Sequence, residues 1–333
     1  MTPEQITTTL RERFGEKLRE NEPLAARTNF RVGGPARWFV DVLNEEELRF
    51  VLALARDANI PHVLLGGGTN VLVADEGFPG VVIRLAMRSV RVDGNQLVAG
   101  AGTAMTLVAQ TAADAGLSGL EWAASLPGTI GGAVRGNAGC FGGSMADVVC
   151  GVGVFDARNS TMLTMDCNAC NFAYRTSQFK REPHLLILEV ACALHHDDAD
   201  AVRARGHEVV ARRCEAQPAG HASAGCLFKN VDMATVSSAA LKRLEDATHG
   251  TWRDVVRNEQ LSAGWIVDLL GMKGAQIGKA QVSPHHGNFI VNLGGACAAD
   301  IAALVTLIKD RALQKFGIAL EEEVQRIGFT PMK

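Results

Sequence analysis

The sequence predicts an α+β protein with two principal domains, and three observations lead to this fold class. Short β-branched segments and amphipathic helical segments are mixed up to residue 198, which is typical of α+β folds. Beyond residue 199 the pattern changes and helical segments become more prominent. The chain of 333 residues, 47% of them hydrophobic, is long enough for two or three domains with sizeable cores.

The first predicted elements follow a turn-rich segment at 28–36. A strand is predicted at 37–42, followed by a helix that Asn44 caps and for which Glu47 completes a capping box. Apolar residues at helical spacing form one face of this helix, and Pro61 prevents its continuation. We therefore expect a strand and then a helix at the start of the first domain.

Several short strands are predicted next. Val, Ile and Leu dominate these segments, and turn residues separate them. Asp93–Gly94 predicts a tight hairpin turn, and Gly116 ends a helix. The predicted strands are 63–65, 71–73, 81–85, 90–92 and 96–99, and the helix covers 103–115.

The C-terminal part is predicted to contain three helices, the last of them long and amphipathic. They cover about 200–214, 262–270 and 300–316, and Gly317 closes the last one. We place a domain boundary near residue 198, where the pattern changes. The predicted division is an N-terminal extension at 1–34, a first domain at 35–198 and a second domain at 199–333.

Charge and composition argue against several classes of function. The formal net charge is −3 and no long basic run occurs, so a nucleic-acid surface is not expected. We find neither a signal-peptide pattern nor a run of about eighteen apolar residues, so no membrane insertion is expected. The eight cysteines then predict reduced thiols in a cytoplasmic protein. Cys167 and Cys170 have the spacing of zinc ligands, but without a second pair no metal site is predicted.

The segment LLGGGTNVLVAD, 64–75, places three glycines after a predicted strand. Successive backbone N–H groups at such a turn can hold a pyrophosphate as an anion nest. A Rossmann site is disfavoured, because it needs a helix directly after the glycines, whereas 70–73 predicts a strand. Taken alone, the run is equally compatible with a simple tight turn.

A second glycine-rich run, LPGTIGGAVRGNAGCFGG, covers 126–143. Pro127 can open a short helix there, and the small residues let the backbone approach an anionic ligand closely. The alternative is tight packing of a helix rich in Gly and Ala. Together, the two runs favour a large cofactor that contains a diphosphate.

Eight motifs follow one another between residues 28 and 328. They are TNFRVGGPA (28–36), LLGGGTNVLVAD (64–75), LPGTIGGAVRGNAG (126–139), YRTSQF (174–179), SAGCLFKN (223–230), AGWIVDLLGMKG (263–274), GNFIVN (287–292) and GIALEEEVQRIG (317–328). In this order they resemble the UDP-N-acetylenolpyruvoylglucosamine reductase (MurB) family over nearly the whole chain. The single tyrosine, Tyr174, belongs to one motif, so the chain resembles the subtype that lacks an inserted tyrosine loop.

The resemblance implies an FAD-binding domain of the vanillyl-alcohol-oxidase (PCMH) type at 35–198 and a C-terminal α+β substrate-binding domain. It also implies non-covalently bound FAD, with NADPH as co-substrate. The implied cofactor contacts lie in the two glycine runs, where the residues themselves predict a diphosphate site. These contacts are Gly66, Gly67, Gly68, Thr69, Asn70, Pro127, Gly128, Thr129, Gly131, Gly132, Asn137 and Gly139.

The implied reaction adds hydride and a proton to the enolpyruvyl group of UDP-N-acetylglucosamine enolpyruvate, a step in peptidoglycan precursor synthesis. Negative charge that develops beside the substrate carboxylate needs a fixed cation, and the carbanionic carbon needs a proton. The motifs place Arg175 as the cation, Cys226 as the proton donor and Glu323 as the catalytic glutamate. Cys226 stands where many relatives carry serine, a departure that keeps an acidic hydrogen.

Glu323 is selected by its place in the family motif. On a strand, Glu321 and Glu323 share a face, so the residues alone do not distinguish them. Contacts with the substrate or with the nicotinamide nucleotide are implied for a further group of side chains. That group is Tyr174, Lys229, Asn230 and Lys273, with Lys279 as a weaker candidate.

Two alternative functions stay open at this point. One is another FAD-dependent sugar or lactone oxidoreductase of the same fold. Such enzymes often attach FAD to a histidine, and neither glycine run contains one. The other is a non-catalytic flavin-binding protein, favoured only by Cys226 in place of serine. We expect a monomer in which Arg175, Cys226 and Glu323 converge beside the flavin.

Overall fold

A computed structural model describes residues 1–218 and 220–329, and their contacts divide the chain into two compact units. Unit 1 contains Met1–Glu22, Ala36–Gly68 and Pro79–Glu215. Unit 2 contains Pro23–Pro35, Thr69–Phe78 and the chain from Ala216 onward. Two short N-terminal segments therefore belong to the mainly C-terminal unit.

The described residues form helices and mostly short strands. The helices are α1 (Pro3–Phe14), α2 (Glu45–Asp57), α3 (Met105–Asp114), α4 (Ile130–Gly136), α5 (Gln178–Arg181), α6 (Ala199–Ala216), α7 (Ser238–Thr248), α8 (Ala263–Leu269) and α9 (Ala298–Phe316). The strands are β1 (Leu18–Pro23), β2 (Pro35–Val42), β3 (His62–Leu65), β4 (Val71–Val73), β5 (Phe78–Leu85), β6 (Val90–Asp93), β7 (Gln96–Gly100), β8 (Leu117–Ser118), β9 (Gly139–Cys140), β10 (Gly143–Ser144), β11 (Val149–Asp156), β12 (Thr161–Asp166), β13 (Leu185–Ala193), β14 (His195–His196), β15 (Val231–Asp232), β16 (Val256–Arg257), β17 (Gln260–Leu261), β18 (Gln276–Ile277), β19 (Ala280–Val282), β20 (Ile290–Asn292) and β21 (Gln325–Ile327).

The first sheet of unit 1 has the strand order β1-β2-β5-β3, with β3 and β5 parallel. Helices α1 and α2 cover it, because each presents an apolar face at helical spacing. Phe14 of α1 and Leu48 of α2 are buried in one core with Trp38 of β2. Thr2 starts α1 with a capping box to Gln5.

The second sheet of unit 1 has the order β12-β11-β13-β7-β6, and its strands pair antiparallel. Met105 of α3 and Ile130 of α4 are buried in the same core as Val154 of β11 and Val190 of β13. This packing holds α4, and the second glycine run that contains it, against the sheet.

Unit 2 combines helices α7, α8 and α9 with small sheets around one core. Strands β4 and β21 pair in parallel there, with Val71 opposite Gln325. Phe30 and Leu72, from the two N-terminal segments, lie in this core. The Asp75 carboxylate accepts hydrogen bonds from the first two N–H groups of α9, at 2.7 and 2.9 Å, and so caps that helix.

Most predicted elements are confirmed, with small differences at their ends. Asn44 caps α2, but Glu47 accepts from the N–H of Leu43 rather than that of Asn44, so the predicted capping box is wrong. The β6–β7 hairpin turns at Gly94 and Asn95, one residue later than predicted, because Asp93 pairs with Gln96. Helix α4 begins at Ile130, three residues after Pro127.

The contacts of α6 place the division between the units at Glu215, not near residue 198. Arg205 on α6 forms ion pairs with Glu121 and Asp197 of unit 1. These pairs attach the helix to the residues before it, although its composition resembles that of the C-terminal part. Within the described ranges, no helix is both long enough and apolar enough to cross a bilayer.

Candidate active site

The two glycine runs meet within unit 1. A Cβ atom added at Gly67 would lie 2.7 Å from the Cα of Gly128, and one at Gly66 would lie 2.8 Å from the Oγ1 of Thr129. Only glycine permits so close an approach of two backbones. The residues therefore fit a ligand that backbone groups must surround, such as the diphosphate of FAD.

Helix α4 fixes the second glycine run. Thr129 is its N-cap and accepts a hydrogen bond from the N–H of Gly132 at 3.4 Å. Gly131 packs on Ala101, where a Cβ would lie 2.8 Å from the Cβ of Ala101. The run is thus a tightly packed turn and a short helix at once. The tight packing that the sequence offered as the alternative is therefore present, and contact of this run with a cofactor stays a prediction.

A tight turn carries Tyr174 and Arg175 in unit 1. Ala173 and Thr176 exchange two backbone hydrogen bonds of 3.1 Å, which places Tyr174 and Arg175 at the tip of the turn. Arg175 has φ 54°, a left-handed conformation that is uncommon for a non-glycine residue. Its guanidinium carbon lies 5.5 Å from the centre of the Tyr174 ring, within cation–π range.

Asn137, at the C-terminal end of α4, supports this turn. Its side-chain amide donates to the carbonyl of Ala173 at 3.0 Å and accepts from the N–H of Ala146 at 3.0 Å. The Ser177 hydroxyl donates to the carbonyl of Arg135 at 2.7 Å and makes a second link. The second glycine run and the arginine motif are therefore one connected structure. A direct contact of Asn137 with the cofactor stays a prediction.

In unit 2, Cys226 lies on an extended segment that Asn288 holds in place. The side chain of Asn288 accepts from the N–H of Phe228 at 2.9 Å and donates to its carbonyl at 2.8 Å. The N–H of Leu227 donates to the carbonyl of Asn288 at 2.8 Å, and Cys226 pairs with Phe289 in a β-bridge. Asn288 is 4% exposed, and its side chain satisfies the N–H and the carbonyl of Phe228.

The acidic segment, residues 321–323, runs along the other side of the extended segment that carries Cys226. Phe228 pairs with Glu322 in an antiparallel bridge, and the N–H of Glu323 donates to the carbonyl of Leu227 at 2.7 Å. Cys226 and Glu323 are thus carried by two hydrogen-bonded stretches of backbone. The structure places Arg175 in unit 1 and these two residues in unit 2.

The neighbouring glutamates are occupied by ion pairs. Glu322 binds Lys309 at 2.9 Å and Arg326 at 2.8 Å. Burial alone would raise the pKa of Glu322, but the bonds and charges of Arg326 and Lys309 outweigh it and lower that pKa. The exposed Glu321 pairs with Lys229, whose side chain is largely buried. Both glutamates therefore have cationic partners within unit 2.

The other predicted substrate contacts have partners within unit 2. Lys229 is largely buried beside Glu321, and Lys273 forms an ion pair of 2.8 Å with Asp268. The Asn230 side chain accepts from the first N–H of α8 at 3.1 Å. Contact of these three residues with the substrate or NADPH stays a prediction, as it does for the exposed Tyr174.

The thiol of Cys170 is poorly suited to bind a metal ion. Burial raises the pKa of the Cys170 thiol to about 12, so it is protonated near neutral pH and a poor ligand or nucleophile. Within residues 1–218 and 220–329 we find no cluster of three or more His, Cys, Asp or Glu side chains able to hold a metal ion.

Two family models match the chain. The model for the C-terminal domain of UDP-N-acetylenolpyruvoylglucosamine reductase matches residues 217–327, and a model described as an FAD binding domain matches residues 36–166. The two matches lie on either side of α6 and account for most of the chain between residues 36 and 327.

Proteins similar over their full length carry the same name. UDP-N-acetylenolpyruvoylglucosamine reductase of Heliobacterium modesticaldum is 37% identical over 95% of this chain and 92% of its own. The enzyme of Synechococcus sp. WH7803 is 36% identical, with 94% of each chain covered. The solved UDP-N-acetylenolpyruvylglucosamine reductase (MurB) from Thermus caldophilus is 35% identical, covers 93% of this chain and 99% of its own, and has a TM-score of 0.73.

Proposed function

This chain belongs to the UDP-N-acetylenolpyruvoylglucosamine reductase family, and from this membership we propose that Arg175, Cys226 and Glu323 carry its chemistry. The protein is an NADPH-dependent FAD enzyme. It reduces the enolpyruvyl group of UDP-N-acetylglucosamine enolpyruvate to the lactyl ether of UDP-N-acetylmuramate. Its fold is α+β, an FAD-binding domain of the vanillyl-alcohol-oxidase type followed by a C-terminal domain of the family.

The cofactor site is proposed to use the two glycine runs, Gly66–Asn70 and Pro127–Gly139. The close approach of Gly67 to Gly128 supports this, because a diphosphate needs backbone N–H groups that side chains do not obstruct. When bound, FAD supplies hydride transfer from NADPH to the terminal carbon of the enolpyruvyl group.

Arg175 is proposed to bind the substrate carboxylate. As hydride reaches the terminal carbon, the electron pair of the double bond moves to the neighbouring carbon and into the carboxylate. A guanidinium remains charged throughout and can grip a carboxylate with two hydrogen bonds. The turn that holds Arg175, supported by Asn137, favours this role because the cation must already be in place when the charge develops.

Cys226 is proposed to donate the proton that completes the reduction. The proton moves from Sγ to the carbon that carries the new electron pair, and the resulting thiolate regains a proton from solvent. An unperturbed thiol has a pKa of about 8.5, so it is protonated at neutral pH and is a stronger acid than the serine hydroxyl of many relatives.

Glu323 is proposed to stabilise the developing charge as an acid beside the substrate carboxylate. The observation that carries this assignment is the hydrogen bond from the Glu323 N–H to the carbonyl of Leu227, the residue after Cys226. It joins the segments of the proposed acid and proton donor. Within the acidic triplet, Glu323 is the candidate because of its place in the Glu-Val step of the family motif.

An anaerobic experiment in two stages tests the function. The purified protein is reduced with NADPH, and UDP-N-acetylglucosamine enolpyruvate is then added while flavin absorbance is followed. Cys226→Ala should keep the first stage and lose the second, because it removes only the proton donor. Cys226→Ser should retain the second stage.

The exposed Cys214 offers a matched control, because Cys214→Ala removes a thiol on α6 at the surface. Reoxidation by the enolpyruvyl substrate at the wild-type rate in Cys226→Ala would remove this residue from the mechanism. A wild-type protein that NADPH does not reduce would contradict the proposed function itself. Release of free flavin on denaturation would exclude a covalently tethered cofactor.

We also propose that the enzyme acts in the cytoplasm as a monomer. None of the eight cysteines, all of which lie in the described part of the chain, forms a disulfide, which is consistent with a reducing compartment. Sedimentation at micromolar concentration tests the oligomeric state, and fractionation of cells that express the protein tests the compartment.

A further inference from the structure

The backbone of Glu323 is held from two sides within unit 2. Its N–H donates to the carbonyl of Leu227 at 2.7 Å. Its carbonyl accepts from the side-chain amides of Asn70 at 3.3 Å and Gln325 at 3.2 Å. Asn70 and Glu323 are 253 positions apart in the sequence, so this contact is a product of the fold. It links the end of the first glycine motif to the proposed catalytic acid.

Asn70 is attached to this segment by its backbone as well. Its carbonyl accepts from the N–H of Gln325 at 3.0 Å, and the next residue begins the parallel pairing of β4 with β21. The side-chain bond requires the amide nitrogen, because an oxygen in that position would face the Glu323 carbonyl oxygen. The orientation of the Asn70 amide is therefore fixed by its partner.

Asn137 repeats this arrangement within unit 1. It ends the short helix of the second glycine motif, with φ 43°, and is 9% exposed. Its amide donates to Ala173, which closes the turn of Arg175, and accepts from Ala146. Each glycine motif thus leads into an asparagine: Asn70 bonds to the backbone of Glu323 itself, and Asn137 bonds to the backbone of Ala173, two residues before Arg175.

We propose that Asn70 and Asn137 are positioning residues, which act through Glu323 and Arg175 respectively. The inference depends on the proposed roles of those two residues. A displacement of about 1 Å in a reacting group can reduce the rate on the order of 100-fold, so the placement of these backbones matters to the reaction. The same bonds join these segments to the glycine motifs. Binding of FAD at the motifs should therefore also reduce the mobility of residues 321–325 and 173–176.

The first test measures the two half-reactions separately. In Asn70→Ala, assayed with FAD saturating, reoxidation of the reduced flavin by the enolpyruvyl substrate should slow about 10- to 100-fold more than reduction by NADPH does, because Glu323 serves only reoxidation. In a Glu323→Gln background, the Asn70→Ala change should have little further effect, because the residue it positions is already lost. Asn168→Ala, which alters an exposed asparagine of unit 1, should leave both half-reactions unchanged.

Asn137→Ala should behave in the same way relative to Arg175→Lys. Equal slowing of both half-reactions at saturating FAD would overturn the proposal, because the asparagines would then serve the cofactor site alone. Full additivity with the Glu323 or Arg175 change would overturn it too. Neither result would affect the proposed function, which fails only if the wild-type protein lacks one of the half-reactions.

The second test does not depend on turnover. Hydrogen exchange is measured with and without FAD, in the wild type and in both asparagine variants. Asn70→Ala should increase exchange several-fold at 321–325 but not at 173–176, and Asn137→Ala should do the reverse. The wild type should gain protection in both segments when FAD binds. If neither asparagine variant differs from the wild type in the hydrogen exchange of these two segments, the positioning roles are refuted.

Discussion

Replacement of Gly67 by alanine tests the cofactor cradle directly. The new Cβ would lie 2.7 Å from the Cα of Gly128 and 3.2 Å from its carbonyl carbon, whereas ordinary contacts begin at 3.4 Å. Both neighbouring atoms are backbone, so a side-chain rotation does not relieve the clash. Gly67 does not have a positive φ, and the effect is therefore steric rather than conformational.

The two runs would have to separate by about 0.7 Å at this point. Overpacking of this kind costs about 1–3 kcal/mol. If this whole cost is lost from the free energy of FAD binding, FAD affinity falls about 5- to 150-fold. The affinity is measured by titrating apo-protein with FAD and following flavin fluorescence, and the thermal midpoint of the apo-protein is recorded beside it.

Gly151→Ala is the matched control, because it lies on β11 outside both glycine runs and its Cβ would make only an ordinary contact of 3.8 Å with the Cβ of Ala191. Gly66→Ala should have a smaller effect than Gly67→Ala, since its Cβ meets a side-chain atom, the Thr129 hydroxyl, and no backbone atom. If Gly67→Ala binds FAD as tightly as Gly151→Ala does, the reasoning about the cradle is refuted. If only the thermal midpoint of the apo-protein falls, the contact stabilises the fold and not the cofactor site.

Two further changes probe unit 2. Asn288→Ala should lower the free energy of unfolding by about 2–5 kcal/mol, because it leaves the buried N–H and carbonyl of Phe228 without partners. Urea unfolding of the apo-protein measures this loss. A loss below about 1 kcal/mol would contradict the prediction. Glu322→Gln should destabilise the protein at pH 7 but not at a pH well below 4.5. The pKa of Glu322 is lower in the folded state, so the stabilisation from Arg326 and Lys309 exists above pH 4.5 and is lost as the carboxylate becomes protonated. A difference from wild type that persists in acid would exclude this electrostatic origin.

Local sequence patterns predicted most of the helices and strands, and they also predicted the two glycine runs as a candidate cofactor site. The strands and the helix at Glu45–Asp57 follow from spacing and capping residues that lie within a few positions of each other. The glycine runs indicated a cofactor cradle because glycine has no Cβ and so lets the backbone approach a ligand closely. Helix α1, which lies in the predicted N-terminal extension, has a local start signal of its own, an N-cap at Thr2 followed by Pro3 and the capping-box residue Gln5.

Other features left no such signal. The bond from Asn70 to Glu323 ends on a main-chain carbonyl, which every residue type possesses, so no side-chain pattern marks it. Asn288 holds Phe228 in the same way. Helix α9 starts at Ala298, two residues before the predicted start, where Asp75 from the distant first glycine motif adds two bonds to a local capping box of Cys297 and Asp300. These contacts depend on which segments the fold brings together.

The parallel pairing of β4 with β21 affects how the protein can be made and divided. A fragment that starts at residue 216 would lack β4, Phe30, Leu72 and the Asp75 cap, and so could not complete its own core. During synthesis, the residues at 23–35 and 69–78 emerge from the ribosome long before their partners exist. We expect their apolar side chains to stay accessible to chaperones until the C-terminal third is translated, and folding limited by these non-local contacts to be slow.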